Sequence, residues 1–212
     1  MLPTILLAAL ILATIVITSP LPRTIAVTAA DIIHIDPNTA SCTAAPAADE
    51  CRTAAEAAPC IAISFTNYGI TSFGEQAALL ALMLYESGDF KYSRGQFPGV
   101  PGQGTRNMQS PAYNLKYAEY LATVCTNCGI TPTQVQQAES QGPAVVLALV
   151  NTDEWSFGSA AWFLATQCDA SVRQSLSLGT RAGWEAYLQC VGTEDNEERD
   201  GLWNAAMALG DW

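Results

Sequence analysis

Apolar positions recur at helical spacing in successive segments of this chain. The most apolar interior segment, residues 76–85, is hydrophobic on every face of a helix and is therefore predicted to be buried. Ser72 and Glu75 form a capping-box pattern before it, in which each side chain binds a free backbone N–H of the first turn. Gly88 then follows as a natural helix stop. The pattern predicts one central buried helix around which the chain is organised.

Further helices are predicted on both sides of this central helix. An alanine-rich helical segment precedes it, with Pro59 near a kink or break. Ser110 and Pro111 begin a helix with a capping serine and a proline at its first position. Other helices are predicted after residues 131–132, at 144–150, 160–166, 171–178 and 182–190, and at the acidic run 194–198, with a polar interhelical turn at 151–157. Apart from a small hairpin after Glu86, no strand is predicted, so the expected fold is all-α.

The first residues of the chain form an apolar segment without a charged side chain, which is typical of a secretory signal. The usual basic residue before the apolar run is missing, and an uncleaved membrane anchor is the alternative interpretation. We assign residues 1–30 to a signal peptide with a possible short pro-segment, and residues 31–212 to one folded domain. The protein is accordingly predicted to be secreted.

Seven cysteines in a chain with a secretory signal predict disulfides. Short spacings predict two local pairs, Cys42–Cys51 and Cys168–Cys190. Three cysteines are left over, namely Cys60, Cys125 and Cys128. The last two form a C-x-x-C pattern that could indicate a redox motif, but the βαβ context of such motifs is missing, so a structural bridge involving one or both is preferred. There is no second C-x-x-C pattern to support a zinc site.

Glu86 is the candidate for acid–base chemistry. Burial at the end of an apolar helix disfavours its charged form, and so does the negative end of the helix dipole. A carboxyl group in this position is predicted to have a raised pKa, which suits a general acid. Asp89 lies three residues further on, as a candidate for a second carboxylate. The alternative is a helix end whose glutamate points into water.

The residues that follow resemble a known family. A buried helix that ends in Glu-Ser, a glycine-rich turn and then Met-Gln-x-Pro before a helix is similar to goose-type lysozymes and lytic transglycosylases. The segment ESGDFKYSRGQFPGVPGQGTRNMQSPAYNLKYA more closely resembles fungal secreted muramidases of the lysozyme superfamily. Weaker similarity extends from about Cys42 to Trp203.

This resemblance implies a lysozyme-like, all-α domain that hydrolyses β-1,4 glycosidic bonds of bacterial peptidoglycan. Glu86 would be the general acid, and Asp89 would activate water or stabilise the oxocarbenium-like centre. By the same resemblance Asn107 and Gln109 would contact the sugar, and Tyr113 lies close enough along the chain to contribute. No cofactor or metal is expected, and the protein is predicted to be a monomer.

The net charge of −11 argues against a nucleic-acid-binding protein, since no stripe of lysine and arginine is present. The same charge also disfavours binding to anionic bacterial walls at low salt. Two alternatives to the muramidase stay open at this stage. One is a lytic transglycosylase that uses Glu86 alone, and the other is a non-catalytic glycan-binding or host-interaction protein on the same fold.

Overall fold

The computed structural model describes residues 26–96, 98–104, 106, 109–126 and 128–210. These residues form ten α-helices and one short 3-10 helix, Pro37–Ala40, and contain no β-strand. In chain order the helices are α1 Ala29–Ile35, α2 Ala54–Asn67, α3 Phe73–Ser87, α4 Pro111–Val124, α5 Pro132–Gln141, α6 Pro143–Val150, α7 Asp153–Thr166, α8 Ala170–Ser177, α9 Arg181–Val191 and α10 Glu197–Met207. The all-α prediction is confirmed.

Helix α3 is the predicted central buried helix. Ser72 accepts a hydrogen bond from the Glu75 amide, and the Glu75 carboxylate accepts one from the Ser72 amide, as the capping-box pattern predicts. Every residue from Ala77 to Leu84 is fully buried, and Gly88 ends the helix in a left-handed conformation. Gly74 allows a close approach to α8, because a Cβ atom there would come 2.1 Å from the Leu176 carbonyl oxygen.

The remaining helices pack into two hydrophobic clusters. The larger cluster surrounds α3 with α2, α8, α9 and α10, and the smaller one joins α4, α5 and α6. Helix α7 contributes to both, since Phe157 and Leu164 face the larger cluster whereas Trp162 and Phe163 face the smaller one. Helix α7, which is apolar on two opposite faces, therefore connects the two halves of the domain.

The two predicted disulfides, Cys42–Cys51 and Cys168–Cys190, are both formed. The other three cysteines, Cys60, Cys125 and Cys128, are free thiols. The preferred interpretation of a structural bridge at Cys125 or Cys128 is therefore wrong. Cys128 instead directs its thiol towards backbone carbonyls at the end of α4.

The N-terminal boundary of the helical domain lies slightly before residue 31. Val27 is buried in the larger cluster, and Thr28 caps α1 with its side chain. Most of the predicted signal segment lies outside the described residues. No helix among the described residues is both long enough and apolar enough to cross a bilayer.

Two local predictions differ from the structure. Most of the segment predicted as a polar interhelical turn, 151–157, is helical, because α7 begins at Asp153. Asp153 and Glu154 lie in its first turn, where carboxylates interact favourably with the helix dipole. The hairpin predicted after Glu86 is reduced, within the part of the chain that the structure describes, to a single bridge between Arg94 and Gly104.

A buried arginine connects the long loop after α3 to the rest of the fold. The Arg106 guanidinium, 2% exposed, donates to Asp153 at 3.1 Å, to the Ser156 hydroxyl at 2.5 Å and to the Glu50 carbonyl oxygen at 3.0 Å. Burial lowers the pKa of Arg106, and the ion pair with Asp153 opposes that shift. Burial alone would raise the pKa of Asp153, but hydrogen bonds from Arg52 and Arg106 outweigh it and lower the pKa.

A second polar contact holds the N-terminal segment on the corner after α3. The Asp36 carboxylate accepts from the Asn38 amide at 3.0 Å, and the Asn38 side chain donates to Asp89 at 3.1 Å. Lys91 donates to the carbonyl oxygens of Asn38 and Ser41. Asp36 is 6% exposed; burial, followed by its hydrogen bond with the Asp89 carboxyl group, raises the pKa of Asp36 to about 6.

We expect replacement of Arg106 by methionine to destabilise the fold. The variant leaves the Glu50 carbonyl and the Ser156 hydroxyl without their charged donor, a loss of roughly 3 kcal/mol for two buried hydrogen bonds to a charged group. Urea denaturation measures the change. Arg181→Met is the matched control, because Arg181 pairs with three carboxylates at the surface, where ion pairs contribute little. Equal effects of the two substitutions would contradict this role of Arg106.

Asp36 should make the domain less stable as the pH rises from about 4 to about 6. Over this interval the unfolded chain ionises Asp36 near its ordinary value of 3.8, whereas the folded protein keeps the proton until about 6. Asp36→Asn should therefore match the unaltered protein in melting temperature at pH 4 and exceed it at pH 7. Asp49→Asn, at an exposed position, serves as the control. An Asp36→Asn variant that is less stable at pH 7 would refute the assignment.

Candidate functional site

Glu86, the predicted general acid, is engaged in an ion pair. Its Oε1 accepts from Arg199 Nη2 at 2.7 Å and from Arg199 Nε at 3.2 Å. The Arg199 guanidinium also lies over the Tyr85 ring, 4.2 Å from its centroid, in a cation–π contact. Both side chains of the ion pair are largely buried. The pair holds the end of α3 against the start of α10.

Asp89, the predicted second carboxylate, belongs to a different group of side chains. It interacts with Asn38 and Asp36 near the N-terminal segment, whereas the carboxylate of Glu86 is bound by Arg199. Asp89 also has a left-handed backbone, with a φ of 59°, which is uncommon for residues other than glycine. The structure therefore shows the two carboxylates with separate partners.

Two of the predicted sugar-contacting residues, Gln109 and Tyr113, have partners on α7. Gln109 is 2% exposed and donates from Nε2 to the Ser159 carbonyl oxygen at 3.1 Å. Tyr113 packs edge-on against Phe163, with 4.8 Å between the ring centroids. Asn107 lies outside the described residues. Gln109 and Tyr113 thus both contact α7, apart from Glu86 and Asp89.

A pocket of about 310 Å³ lies between α2, α4 and α7, and we call it the α2–α4–α7 pocket. Its lining is mainly aromatic and aliphatic, with a few polar groups. The lining residues are Cys60, Ile63, Ser64, Asn67, Tyr68, Tyr117, Glu154, Trp155 and Gly158. This combination of an apolar wall and a small number of polar groups is typical of small-molecule sites.

Tyr117 supplies a buried hydroxyl group to this pocket. Its side chain is fully buried, and its hydroxyl oxygen has no partner with regular hydrogen-bond geometry among the described residues. Burial raises the pKa of Tyr117 well above its ordinary range, and the nearby Tyr68 hydroxyl adds to the shift through its charge and a hydrogen bond with Tyr117. The group therefore stays protonated at physiological pH and is a hydrogen-bond donor.

Gly158 lets the backbone of α7 pack closely against this hydroxyl. A Cβ atom at this position of α7 would come 3.0 Å from the Tyr117 hydroxyl oxygen and 3.8 Å from Ser64 Cβ. Cys60 lies on the wall of the same pocket, and burial raises the pKa of its thiol, with Asp153 and Glu154 adding to the shift. Glu154 and Asn67 are exposed at the rim.

A second cavity, of about 320 Å³, lies between α6 and residues 94–103. Its polar lining residues already have partners within the protein. Arg94 binds Glu50 at 2.8 Å, and Asn151 donates to the Ser93 hydroxyl at 3.0 Å. The α2–α4–α7 pocket differs because the partner of its buried Tyr117 hydroxyl is the hydroxyl of Tyr68, another residue of the pocket wall.

The sequence contained part of the signal for this pocket. Cys60, Ser64 and Tyr68 recur every four residues, which places them on one face of α2. Glu154 and Gly158 have the same spacing on α7. The sequence pattern alone does not predict that these two faces meet.

Comparison with known proteins gives one informative match. A curated protein of Fusarium oxysporum (strain Fo5176), named bifunctional dioxygenase (DOX)-epoxy alcohol synthase (EAS), is 42% identical over 157 residues. The match covers 73% of this chain but only 12% of the relative, so the chain spans a small part of that protein. No family model matches the chain, and no solved structure matches it.

This finding corrects the predicted function. The relative is named as a dioxygenase and epoxy alcohol synthase and not as a glycoside hydrolase, so the muramidase interpretation is wrong. The muramidase activity was the basis for the predicted site roles. Without it, no basis remains for the catalytic roles of Glu86 and Asp89 or for the sugar-binding roles of Asn107, Gln109 and Tyr113. The resemblance to the lysozyme superfamily stays a prediction. What the comparison does establish is that most of this chain is similar to one region of an enzyme.

Proposed function

We propose that this chain is a binding domain for a small, neutral and mostly apolar molecule that carries an acceptor oxygen. The α2–α4–α7 pocket is the proposed site. The observation that carries the proposal is the mostly apolar pocket itself, whose wall holds the buried Tyr117 hydroxyl beside the hydroxyl of Tyr68.

A ligand oxygen can pair with these hydroxyl groups. The hydroxyls of Tyr117 and Tyr68 lie beside each other, and a ligand oxygen that accepts a hydrogen bond from this pair would gain about 0.5–1.5 kcal/mol net. The aromatic walls formed by Tyr68 and Trp155 would bury the apolar body of the ligand. The pocket is thus suited to one acceptor oxygen at its floor and hydrocarbon above it.

The charge of the protein favours a neutral ligand. Glu154 lies at the rim, Asp153 is close by in the same helix, and the whole chain carries a net charge of −11. An anionic molecule would be repelled both during approach and in the bound state. The exposed Glu154 and Asn67 side chains can instead accept a hydrogen bond from a hydroxyl group of the ligand.

The relative suggests which class of molecule to test first. An epoxy alcohol, the product class in that protein's name, has an epoxide oxygen that can only accept and a hydroxyl that can donate. These two groups match the Tyr117 hydroxyl at the floor and Glu154 at the rim. Because the similar region is 12% of a protein named for two activities, we assign this domain an accessory binding role beside oxidative enzymes. The two disulfides support secretion as its proposed location.

Tyr117→Phe should weaken binding of a medium-chain aliphatic epoxy alcohol by about threefold to tenfold, the contribution of one net hydrogen bond. Binding can be followed by tryptophan fluorescence, since Trp155 lines the pocket. The alkane of equal chain length should bind both proteins alike. Tyr187→Phe is the matched control, because its hydroxyl is also buried and without a regular partner among the described residues but does not line the pocket.

Two outcomes would count against the proposal. One is the absence of binding of the epoxy alcohol to the unaltered protein. The other is an equal loss of affinity in Tyr117→Phe and Tyr187→Phe, which would place the effect in general packing. In both variants the free protein should be as stable as the unaltered one, because each substitution removes a buried hydroxyl without a regular partner.

Gly158→Ala should lower the affinity for the same epoxy alcohol at least about tenfold, because one added methyl group in a fitted pocket has an effect of this size. The added Cβ atom would come 3.0 Å from the Tyr117 hydroxyl oxygen in the pocket wall. Gly201→Ala provides the control, as its Cβ atom would meet no heavy atom within 4 Å. Isothermal titration calorimetry measures the affinity of both variants for the epoxy alcohol. Unchanged affinity in Gly158→Ala would show that the ligand binds elsewhere.

A further inference from the structure

A small polar cavity lies between α4, α6, α7 and the loop that precedes α4. Its volume is about 10 Å³, at the lower end of what one buried water molecule needs. Hydroxyl, amide and guanidinium side chains form most of its lining, among them Arg106, Gln109, Asn114 and Ser156. We call it the Arg106–Gln109 cavity. Its polar walls distinguish it from the α2–α4–α7 pocket, which is mainly apolar.

Arg106 contributes a free donor to this cavity. Its Nη1 atom donates to Asp153 and Ser156, and its Nη2 atom donates to the Glu50 carbonyl oxygen. The guanidinium group also lies over the Phe157 ring, 4.1 Å from the ring centroid. The remaining donor, Nε, is buried and has no hydrogen-bond partner within the described part of the chain. A buried donor left unpaired is rare in folded proteins, because its desolvation is not compensated.

Gln109 contributes a free acceptor to the same cavity. Its Nε2 atom donates to the Ser159 carbonyl oxygen at 3.1 Å. Because a carbonyl oxygen can only accept, this contact fixes which end of the amide group carries the nitrogen. The other end, Oε1, is buried and has no hydrogen-bond partner among the residues that the structure describes. The walls of one small cavity therefore include a buried donor and a buried acceptor.

We propose that the Arg106–Gln109 cavity binds one water molecule, which accepts a hydrogen bond from Arg106 Nε and donates one to Gln109 Oε1. Buried water molecules typically make about three hydrogen bonds to polar groups that otherwise lack partners. The two side chains supply two of these bonds. Asn114 and Ser156, in the walls of the cavity, are close enough to offer a third.

The charges around the cavity favour a neutral occupant over an ion. The Arg106 guanidinium would repel a cation. An anion would lie beside the Gln109 Oε1 acceptor, and the charge of Arg106 is already balanced by Asp153 at 3.1 Å. A water molecule is neutral, can accept and donate at once, and matches the volume of the cavity.

This water molecule would join two separate contacts between α7 and the segment before α4. Arg106 reaches α7 through Asp153 and Ser156, and Gln109 reaches it through Ser159. A water molecule bound to both side chains makes these contacts one hydrogen-bonded network. The loop and α7 are then held together by the occupant of the cavity as well as by direct bonds.

The first experiment uses the unaltered full chain. A crystal structure at a resolution that shows ordered water should contain one water molecule within about 2.7–3.2 Å of both Arg106 Nε and Gln109 Oε1. In solution, the Arg106 Nε proton should give a through-space NMR cross-peak with water. The sign of a rotating-frame cross-peak distinguishes this contact from exchange of the proton with solvent. Crystals soaked in bromide should show no anomalous scattering at the site.

Gln109→Met tests the acceptor, because methionine has a similar length but no side-chain oxygen. The cross-peak between the Arg106 Nε proton and water should be lost in this variant and retained in Gln137→Met, which alters an exposed glutamine of α5. A cross-peak that persists in Gln109→Met would refute the role of Gln109. A direct contact between Arg106 Nε and Gln109 Oε1, another protein atom in the cavity, or a bromide ion there would overturn the proposal. These last three outcomes are read from the unaltered protein and do not depend on the folding of a variant.

Discussion

Complete burial of α3 is the constraint on which the other helices depend. From Ala77 to Leu84 the helix has no face that tolerates water, so it needs neighbours on all sides. Helices α2, α8, α9 and α10 supply apolar faces around it, and Gly74 lets α8 approach within van der Waals distance of the backbone. The capping box at its start and Gly88 at its end satisfy backbone groups that burial would otherwise leave unpaired.

Local sequence signals predicted most of this fold because they act over a few residues. The Ser72–Glu75 cap, proline at the first positions of α4 and α5, and the short spacings of the two disulfides each concern one turn or one loop. The first turn of α7 was missed, since Asp153 and Glu154 were interpreted as a polar turn. Carboxylates favour a helix N-terminus, but the polar composition of the segment led instead to the prediction of a turn.

Local sequence signals could not predict the candidate site, because the site depends on contacts between segments that are distant in the sequence. The position of Glu86 at the end of a buried helix was correctly deduced, but its partner Arg199 lies more than a hundred residues further along the chain. Arg106 and Glu50, and likewise Cys60 and Tyr117 in the pocket, also come from segments more than fifty residues apart. A short motif that resembled a lysozyme segment then led to an activity that the comparison with a longer relative contradicts. Fold class follows from periodicity, whereas a site requires its three-dimensional neighbours.

The position of α7 in both hydrophobic clusters has a consequence for how the domain opens. Phe157 and Leu164 on one side, and Trp162 and Phe163 on the other, belong to a single rigid helix. If either cluster unfolded alone, one face of α7 would become exposed while its other face stayed packed in the second cluster. The two halves should behave as one cooperative unit in native-state hydrogen exchange, with the slowest amides in α3 and α7 sharing one opening free energy. Because Gly158 lies on the same helix, occupation of the pocket would slow exchange throughout the domain and not only at its walls.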